Sequence, residues 1–292
     1  MYEPRWIRPA TRDEALEALA EAGDSAAVIA GGTDLSPLIT KGSVRPPVLI
    51  DLGGIEDLRT IDSGGAGSGE GRVEIGAAVT HARLAREAGA AGADILAVAC
   101  STVGGPQVRS RGTIGGNVVN ASPAADGTVA LFALEARAIV ERAGGKREVP
   151  LSELLTGPGR TTLRAGELVT GLAFDRPSGQ ARGAYRKAGQ RNALAIAVAS
   201  VAVVHDTGKG TVRIALGSVA PTPVRATEAE ALFDEGWSEA SKNDRTRREL
   251  IDAVASTAVR AASPIDDVRA SAWYRTVLVE VLTRRALEEV IG

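Results

Sequence analysis

The chain has 292 residues, 44% hydrophobic and 24% charged, with a net charge of −2; that is ample for a core and two or three domains, without a basic field for nucleic acid or an anionic membrane. Aromatic residues make up only 3%, too few for a base-stacking platform. The single cysteine, Cys100, excludes a disulfide framework or an iron–sulfur cluster held by this chain's own thiols, and two histidines, His81 and His205, leave no histidine-built metal site.

Met1-Tyr2-Glu3-Pro4-Arg5 is followed by no apolar signal-peptide core, and no run approaches the roughly 18 to 20 apolar residues of a membrane span, so a cytoplasmic protein is expected. Residues 6–9 read as an extended entry. Thr11-Arg12-Asp13-Glu14 is a capping box, followed by a helical face of Ala15, Leu16, Leu19 and Ala20 that Gly23 ends. Residues 26–30 are a short strand, Ser36-Pro37 suits a helix cap and first turn, and residues 48–52 are a strand, which together make a β-α-β unit. The glycine-rich run 63–71 reads as a flexible linker. Residues 73–77 are a strand, Thr80 caps a helix carrying Leu84, and residues 95–103 continue helical. Then come a helix over 128–134, a strand over 138–140, a hairpin turn at Gly144-Gly145 and a strand over 168–174.

Pro177-Ser178-Gly179-Gln180 marks a domain boundary. Residues 193–204 are small and apolar, as in a strand covered on both faces, and Gly208-Lys209-Gly210 turns the chain into a partner over 212–219. Beyond Pro221 and Pro223 the pattern is helical, with stripes of Leu250, Ile251 and Val254, then Val277, Leu278, Val281, Leu282 and Leu287. The class is α+β, with a small sheet carrying helices on one face in the last part.

Two stretches carry the chemistry. In Ile29-Ala30-Gly31-Gly32-Thr33-Asp34-Leu35-Ser36, a strand runs into a glycine loop and a helix start, where free N–H groups favour phosphate. In Arg111-Gly112-Thr113-Ile114-Gly115-Gly116-Asn117, a glycine-rich turn is followed by small polar residues up to Ser122 and the carboxylate Asp126. Two such loops suggest a long ligand with phosphates in its middle. The N–H groups of residues 114–117 and the Thr113 hydroxyl would bind pyrophosphate, and Asp126 would accept from a sugar hydroxyl or cap the next helix. Arg109 and Arg111 flank the loop, near phosphate or simply solvated. His81 reads as a surface or supporting residue, His205 as solvent-exposed before its turn, and Cys100 as a small core residue. Tyr185-Arg186-Lys187 is either an edge strand or a reach toward a ligand between domains. No G-x-G-x-x-G follows a strand, and no P-loop, G-x-S-x-G or H-E-x-x-H occurs, which removes the usual support for NAD dehydrogenase, NTPase, hydrolase and metalloprotease readings.

In this order and at this separation the stretches resemble the FAD-binding subunit of the molybdenum hydroxylases, a family that includes the carbon monoxide dehydrogenase medium subunit and the xanthine dehydrogenase flavin domain. The resemblance lies in Ala30-Gly31-Gly32-Thr33-Asp34-Leu35, in Thr113-Ile114-Gly115-Gly116-Asn117, in residues 120–126 and in Tyr185-Arg186-Lys187. It implies an FAD-binding domain of the vanillyl-alcohol-oxidase-like type over residues 1–175, with subdomains at about 1–58 and 59–175, and a C-terminal domain over 178–292. It places Ile29 to Ser36 and Thr113 to Asn117 on the pyrophosphate, and it counts Ser122 among the cofactor-binding residues. Asp126 falls on ribose or ribityl, Val103 against the flavin ring, Val169 at a backbone contact near the ring, and Arg186 or Lys187 close to it. It further implies an electron-transfer flavoprotein that works with a 2Fe–2S subunit and a molybdopterin large subunit, in a heterotrimer able to dimerise, and passes electrons to an external acceptor. No catalytic acid or base and no metal ligand is expected on this chain. One cysteine cannot serve the extra 4Fe–4S cluster of some relatives, and Val103 stands where xanthine dehydrogenase has a bulky aromatic. The rivals are a free-standing flavin oxidase or dehydrogenase and a non-redox nucleotide-binding module.

Overall fold

The computed structural model describes residues 2–64, 71–191 and 193–292. Most of the expected linker at 63–71 falls outside them.

The first unit is β1 (Arg5–Ile7), α1 (Arg12–Ala22), β2 (Ala26–Ile29), α2 (Leu35–Thr40) and β3 (Val48–Asp51), with a parallel sheet in the order β1-β3-β2. The capping box forms: the Thr11 hydroxyl accepts from the Glu14 amide at 3.2 Å, while the Glu14 carboxylate accepts from the amide of Ala10 at 2.8 Å. Ala15, Leu16 and Leu19 of α1 bury against Ile50 and Leu52. Helix α2 starts two residues earlier than Ser36-Pro37 suggests, with Asp34 in the cap position. The Ser36 amide, bonded to the Gly32 carbonyl at 3.1 Å, is already inside the first turn.

The second unit is β4 (Ile61–Asp62), β5 (Arg72–Gly76), α3 (His81–Glu87), α4 (Asp94–Ser101), α5 (Pro106–Arg111), α6 (Ile114–Val119), α7 (Asp126–Ala133), β6 (Arg137–Arg142), β7 (Gly145–Pro150), α8 (Leu151–Leu154), β8 (Leu155–Gly157), β9 (Arg160–Thr161) and β10 (Leu168–Asp175). Its five-stranded antiparallel sheet runs β4-β5-β10-β6-β7. Gly144 turns the β6–β7 hairpin at φ +76°, where a side chain would be strained. The second glycine stretch is helix α6 rather than a turn, and the Thr113 hydroxyl caps it by accepting from the Gly116 amide.

The third unit is β11 (Ala181–Ala188), β12 (Ala199–Asp206), β13 (Thr211–Gly217), β14 (Val224–Arg225), α9 (Thr227–Ala240), α10 (Asp244–Ala258) and α11 (Ala272–Ile291), with its strands antiparallel in chain order. Alternation along the strands explains the small apolar run. Val201, Val203, Ile214 and Leu216 face the unit's own helices through Phe233, Val254, Leu282 and Leu287. Tyr185, Ala202, Val204 and Ala215 join the second unit's core with Cys100 and Val129. The sheet is therefore covered on both faces, one of them by α4 and α7.

Four expectations change. The strand expected from residue 193 begins at Ala199, because its partner β11 ends at Ala188, opposite it. His205 is fully buried, edge-on to Phe233 and Trp237 with ring centroids 5.2 and 4.7 Å away, because α9 closes over the strand end. Val277 is exposed, and the buried stripe of α11 is Val279, Leu282, Ala286, Leu287 and Val290. The expected helix 95–103 is α4 followed by a turn at residues 102–105. No helix among the described residues is long and apolar enough to cross a membrane.

Phe233 stacks on Trp237 with centroids 5.1 Å apart and is fully buried. Phe233→Ala is expected to cost about 3–5 kcal/mol, read as a lower urea midpoint with unchanged far-ultraviolet dichroism in native buffer.

Candidate functional site

The carboxyl end of β2 opens into the loop of residues 30–34, on one wall of a cleft of about 510 Å³. A Cβ on Gly31 would collide with the Arg111 carbonyl and the Gly112 Cα, so only glycine lets this loop lie against the junction of α5 and α6. Gly32 follows at φ +73°, in the left-handed region. The N–H groups of Gly31, Gly32, Thr33, Asp34 and Leu35 have no acceptor among the described residues. Five consecutive free donors on a concave loop favour an anion. The Asp34 carboxylate accepts from Thr33 Oγ1 and from Asn120 Nδ2, both at 3.3 Å, and so ties the loop to the end of α6.

The opposite wall differs from the expected amide cradle. The Ile114 amide donates to the Val79 carbonyl at 3.0 Å, Gly115 to Ala77 at 2.9 Å, Gly116 to Thr113 Oγ1 at 3.2 Å and Asn117 to the Thr113 carbonyl at 2.9 Å. These four donors are engaged, and the Thr113 hydroxyl acts as a helix cap. Glycine is needed at 115 for packing, since a Cβ there would run into Ala77. What this wall presents to the cleft is side chains and glycine Cα surface. Asn117 is fixed by Thr128, whose amide and hydroxyl each donate to Asn117 Oδ1 at 3.1 Å.

Thirteen of the sequence-derived residues line the cleft: Ile29, Ala30, Gly31, Gly32, Thr33, Asp34 and Leu35 from the first stretch, then Val103, Thr113, Gly116, Asn117, Ser122 and Asp126. Ser36, Ile114 and Gly115 stand behind it. Val169 is buried in β10, paired with Val140 and apart from the cleft lining. Arg186 and Lys187 part company because successive strand residues face opposite ways. Arg186 points outward to Glu289 at 2.6 Å, while Lys187 turns inward to Asp126 at 2.7 Å.

Asp126 is buried at the first turn of α7, and its cap position is held by Ala125, so it is not the helix cap. Tyr185 Oη donates to its Oδ1 at 2.6 Å, and Lys187 Nζ donates to its Oδ2 and to the Thr102 carbonyl at 3.2 Å. Burial pushes the carboxyl pKa up, while Lys187 and Tyr185 pull it down. The Tyr185 hydroxyl is driven up by burial and by that carboxylate. This cluster joins the third unit to the second directly beneath the cleft. Arg109 is half-buried, and its Nη1 donates to the Val103 and Gly104 carbonyls at 3.1 and 2.9 Å and pins the turn before α5. Arg111 lies on the far side of the first loop, in a separate polar pocket with Arg59 and Arg83.

Sequence reasoning missed several lining residues: His81, Leu38, Val108, Leu194, Ala195 and Ile196. The last three form a lip from the third unit, with Leu194 at φ +55° and both Leu194 and Ile196 exposed. Their one signal was large aliphatic residues at the start of an otherwise small-residue run.

Residues 2–174 match the family described as the FAD binding domain in molybdopterin dehydrogenase, and residues 183–290 match the CO dehydrogenase flavoprotein C-terminal domain. The chain is 33% identical to the glyceraldehyde dehydrogenase medium chain of Sulfolobus acidocaldarius, over 99% of this chain and 100% of that one. It is 32% identical to the carbon monoxide dehydrogenase medium chain of Hydrogenophaga pseudoflava, over 98% and 97%. The reconstituted CO dehydrogenase of Oligotropha carboxidovorans superposes with a TM-score of 0.88 at 29% identity, covering 99% of this chain and 98% of that one.

Two outcomes are expected. Gly31→Ala forces the first loop off the α5–α6 junction, which lowers the thermal midpoint and ligand retention while helix content stays unchanged. Burial, with the Arg109 cation nearby, depresses the His81 pKa from 6.5 to about 4. The unfolded chain therefore takes up this proton first: the stability is complete above the unfolded pKa and is lost as pH falls toward the folded one, on the order of 3 kcal/mol. Burial lowers the His205 pKa as well, in the same direction. Urea midpoints between pH 7 and 4 check this, and His81→Gln is expected to flatten the profile by the His81 share.

Proposed function

The chain belongs to the molybdopterin dehydrogenase FAD-binding family, and from that premise we propose that it is the electron-transferring medium subunit of a molybdenum hydroxylase complex. It binds FAD and is an oxidoreductase component. In the proposed arrangement it receives electrons from an iron–sulfur subunit, which a molybdopterin-bearing large subunit supplies, and passes them to an external acceptor. The names of its relatives, "medium chain" and "FAD-binding subunit", support a multi-subunit assembly.

The row of free amides from Gly31 to Leu35 carries this reading. A diphosphate needs donors that are fixed in place and unpaired, and the first loop supplies them at the carboxyl end of a parallel strand. The lining of the cleft extends from the end of β2 past α6 to Asp126, with a volume of about 510 Å³. Asp126 keeps lone pairs beyond those used by Tyr185 and Lys187, so it can also accept from a sugar hydroxyl. Leu194 and Ile196 add an apolar lip at its border.

When bound, FAD supplies the redox chemistry, and the chain's own work is to bind, orient and shield it. The titratable groups of the cleft suit that division. Asp126 is tied into an ion pair, and His81 is kept neutral by burial. Neither is placed as an acid or base toward an independent substrate.

The purified chain is expected to be yellow and to release about one FAD per chain on denaturation. The same chain, tagged and recovered from its source cells, is expected to bring down two further polypeptides, with iron and molybdenum. A yellow protein recovered alone, reducing its own small substrate, would sink the subunit reading. A colourless one that binds only adenine nucleotides would sink the flavin reading too.

A further inference from the structure

His81 begins α3, and its amide donates to the Gly112 carbonyl at 3.0 Å. Its ring is buried and wedged at the floor of the cleft. A side chain at Gly112 would meet ring Cδ2 at 3.2 Å, and one at Gly127 would meet Cε1 at 3.6 Å. Nε2 lies between those two carbons and has no hydrogen-bond partner among the described residues. Nε2 is not sealed from solvent, and His81 is a lining residue of the cleft. Nδ1, on the other side of the ring, is 3.5 Å from Cys100 Sγ.

The tautomer follows from the chemistry of that contact. Cys100 is fully buried, and burial together with the Asp126 charge pushes its thiol pKa up, so the sulfur keeps its proton. A thiol is a weak donor and a thioether-like sulfur a weak acceptor. With the thiol as donor, its S–H points at the Nδ1 lone pair, which accepts, and the ring proton lies on Nε2. Arg109, nearby, disfavours a second proton. The second glycine stretch has used its own amides on carbonyls and the Thr113 hydroxyl. A donor from beneath that stretch therefore has to be a side chain.

We propose that His81, held in its Nε2–H form by the Cys100 thiol, is a neutral hydrogen-bond donor to the diphosphate of the bound dinucleotide, opposite the free amides of the first loop. This rests on the FAD reading above. A neutral donor adds affinity without the charge change that an exposed histidine would undergo near neutral pH. Cys100 acts through the ring as a positioning residue and does not touch the ligand.

The chain has only two histidines, so imidazole ¹⁵N spectra are simple, and His81→Gln assigns them. In the apo-protein, His81 is expected to show a protonated Nε2 and an unprotonated Nδ1 at pH 7. Adding FAD or ADP is expected to shift the Nε2–H resonance, whereas riboflavin, which lacks the diphosphate, leaves it in place. His81→Gln or His81→Ala is expected to weaken FAD binding roughly five- to tenfold, the loss of one hydrogen bond. Cys100→Ala is expected to mix the tautomers, and Cys100→Ser to restore Nε2–H. An Nδ1–H tautomer, or an Nε2–H resonance unmoved while wild-type protein binds FAD, overturns the proposal and leaves the FAD reading standing. Wild-type protein that takes up no FAD overturns both.

Discussion

The approach of one backbone to another at Gly31 is the contact on which the rest of the site depends. Without a Cβ there, the loop after β2 can rest on the Arg111 carbonyl and the Gly112 Cα. That contact brings a parallel β-α-β unit edge to edge with an antiparallel one, and the cleft is the groove left beside it. It also leaves five amides of the first loop, whose residues line the groove, without carbonyl partners among the described residues. The close approach and the donor row have one cause, a two-glycine turn at the end of a strand.

The two walls then differ in what they offer. The first is a mobile-proton-free row of amides; the second is a short helix whose amides are tied to Val79, Ala77 and Thr113. Anchoring α6 in this way sets Asn117, Thr113 and His81 at fixed positions on the cleft floor. The Asp126–Lys187–Tyr185 cluster completes the floor and bolts the third unit to the second. Breaking one member would leave a buried charge uncompensated, which is costlier than never having had the pair. The same residues that border the cleft therefore hold the domains in register, and ligand geometry is linked to domain packing.

Much of this was legible in residues 26–36 and 111–126. Local rules acted there without outside help: a strand, a glycine pair and a carboxylate at a helix start, whereas the cap formed by Thr113 was not read. The strands of the antiparallel sheets, the hairpin at Gly144 and the helical last third were readable for the same reason, because period and turn chemistry are local properties. Misreadings fell where a neighbour decides. His205 carries the polar signature of a surface residue, and only the arrival of α9 buries it against Phe233 and Trp237. Which of Arg186 and Lys187 turns inward is likewise set by strand facing and register, which one chain segment does not specify.

By itself, the sequence determined the α+β class, the two glycine stretches and the family to which they belong, since these follow from residue order and short-range sterics. Tertiary structure alone decided which donors remain free. The amides of residues 114 and 115 and those of residues 31–35 look alike in sequence, but Val79 and Ala77 face the former and nothing faces the latter among the described residues; the amides of Gly116 and Asn117 are taken locally by Thr113. It also decided that Lys187 rather than Arg186 turns to Asp126, and that His81 lies on the cleft floor. Hydrogen-bond satisfaction depends on which elements meet across the fold, and residues far apart in the chain settle it.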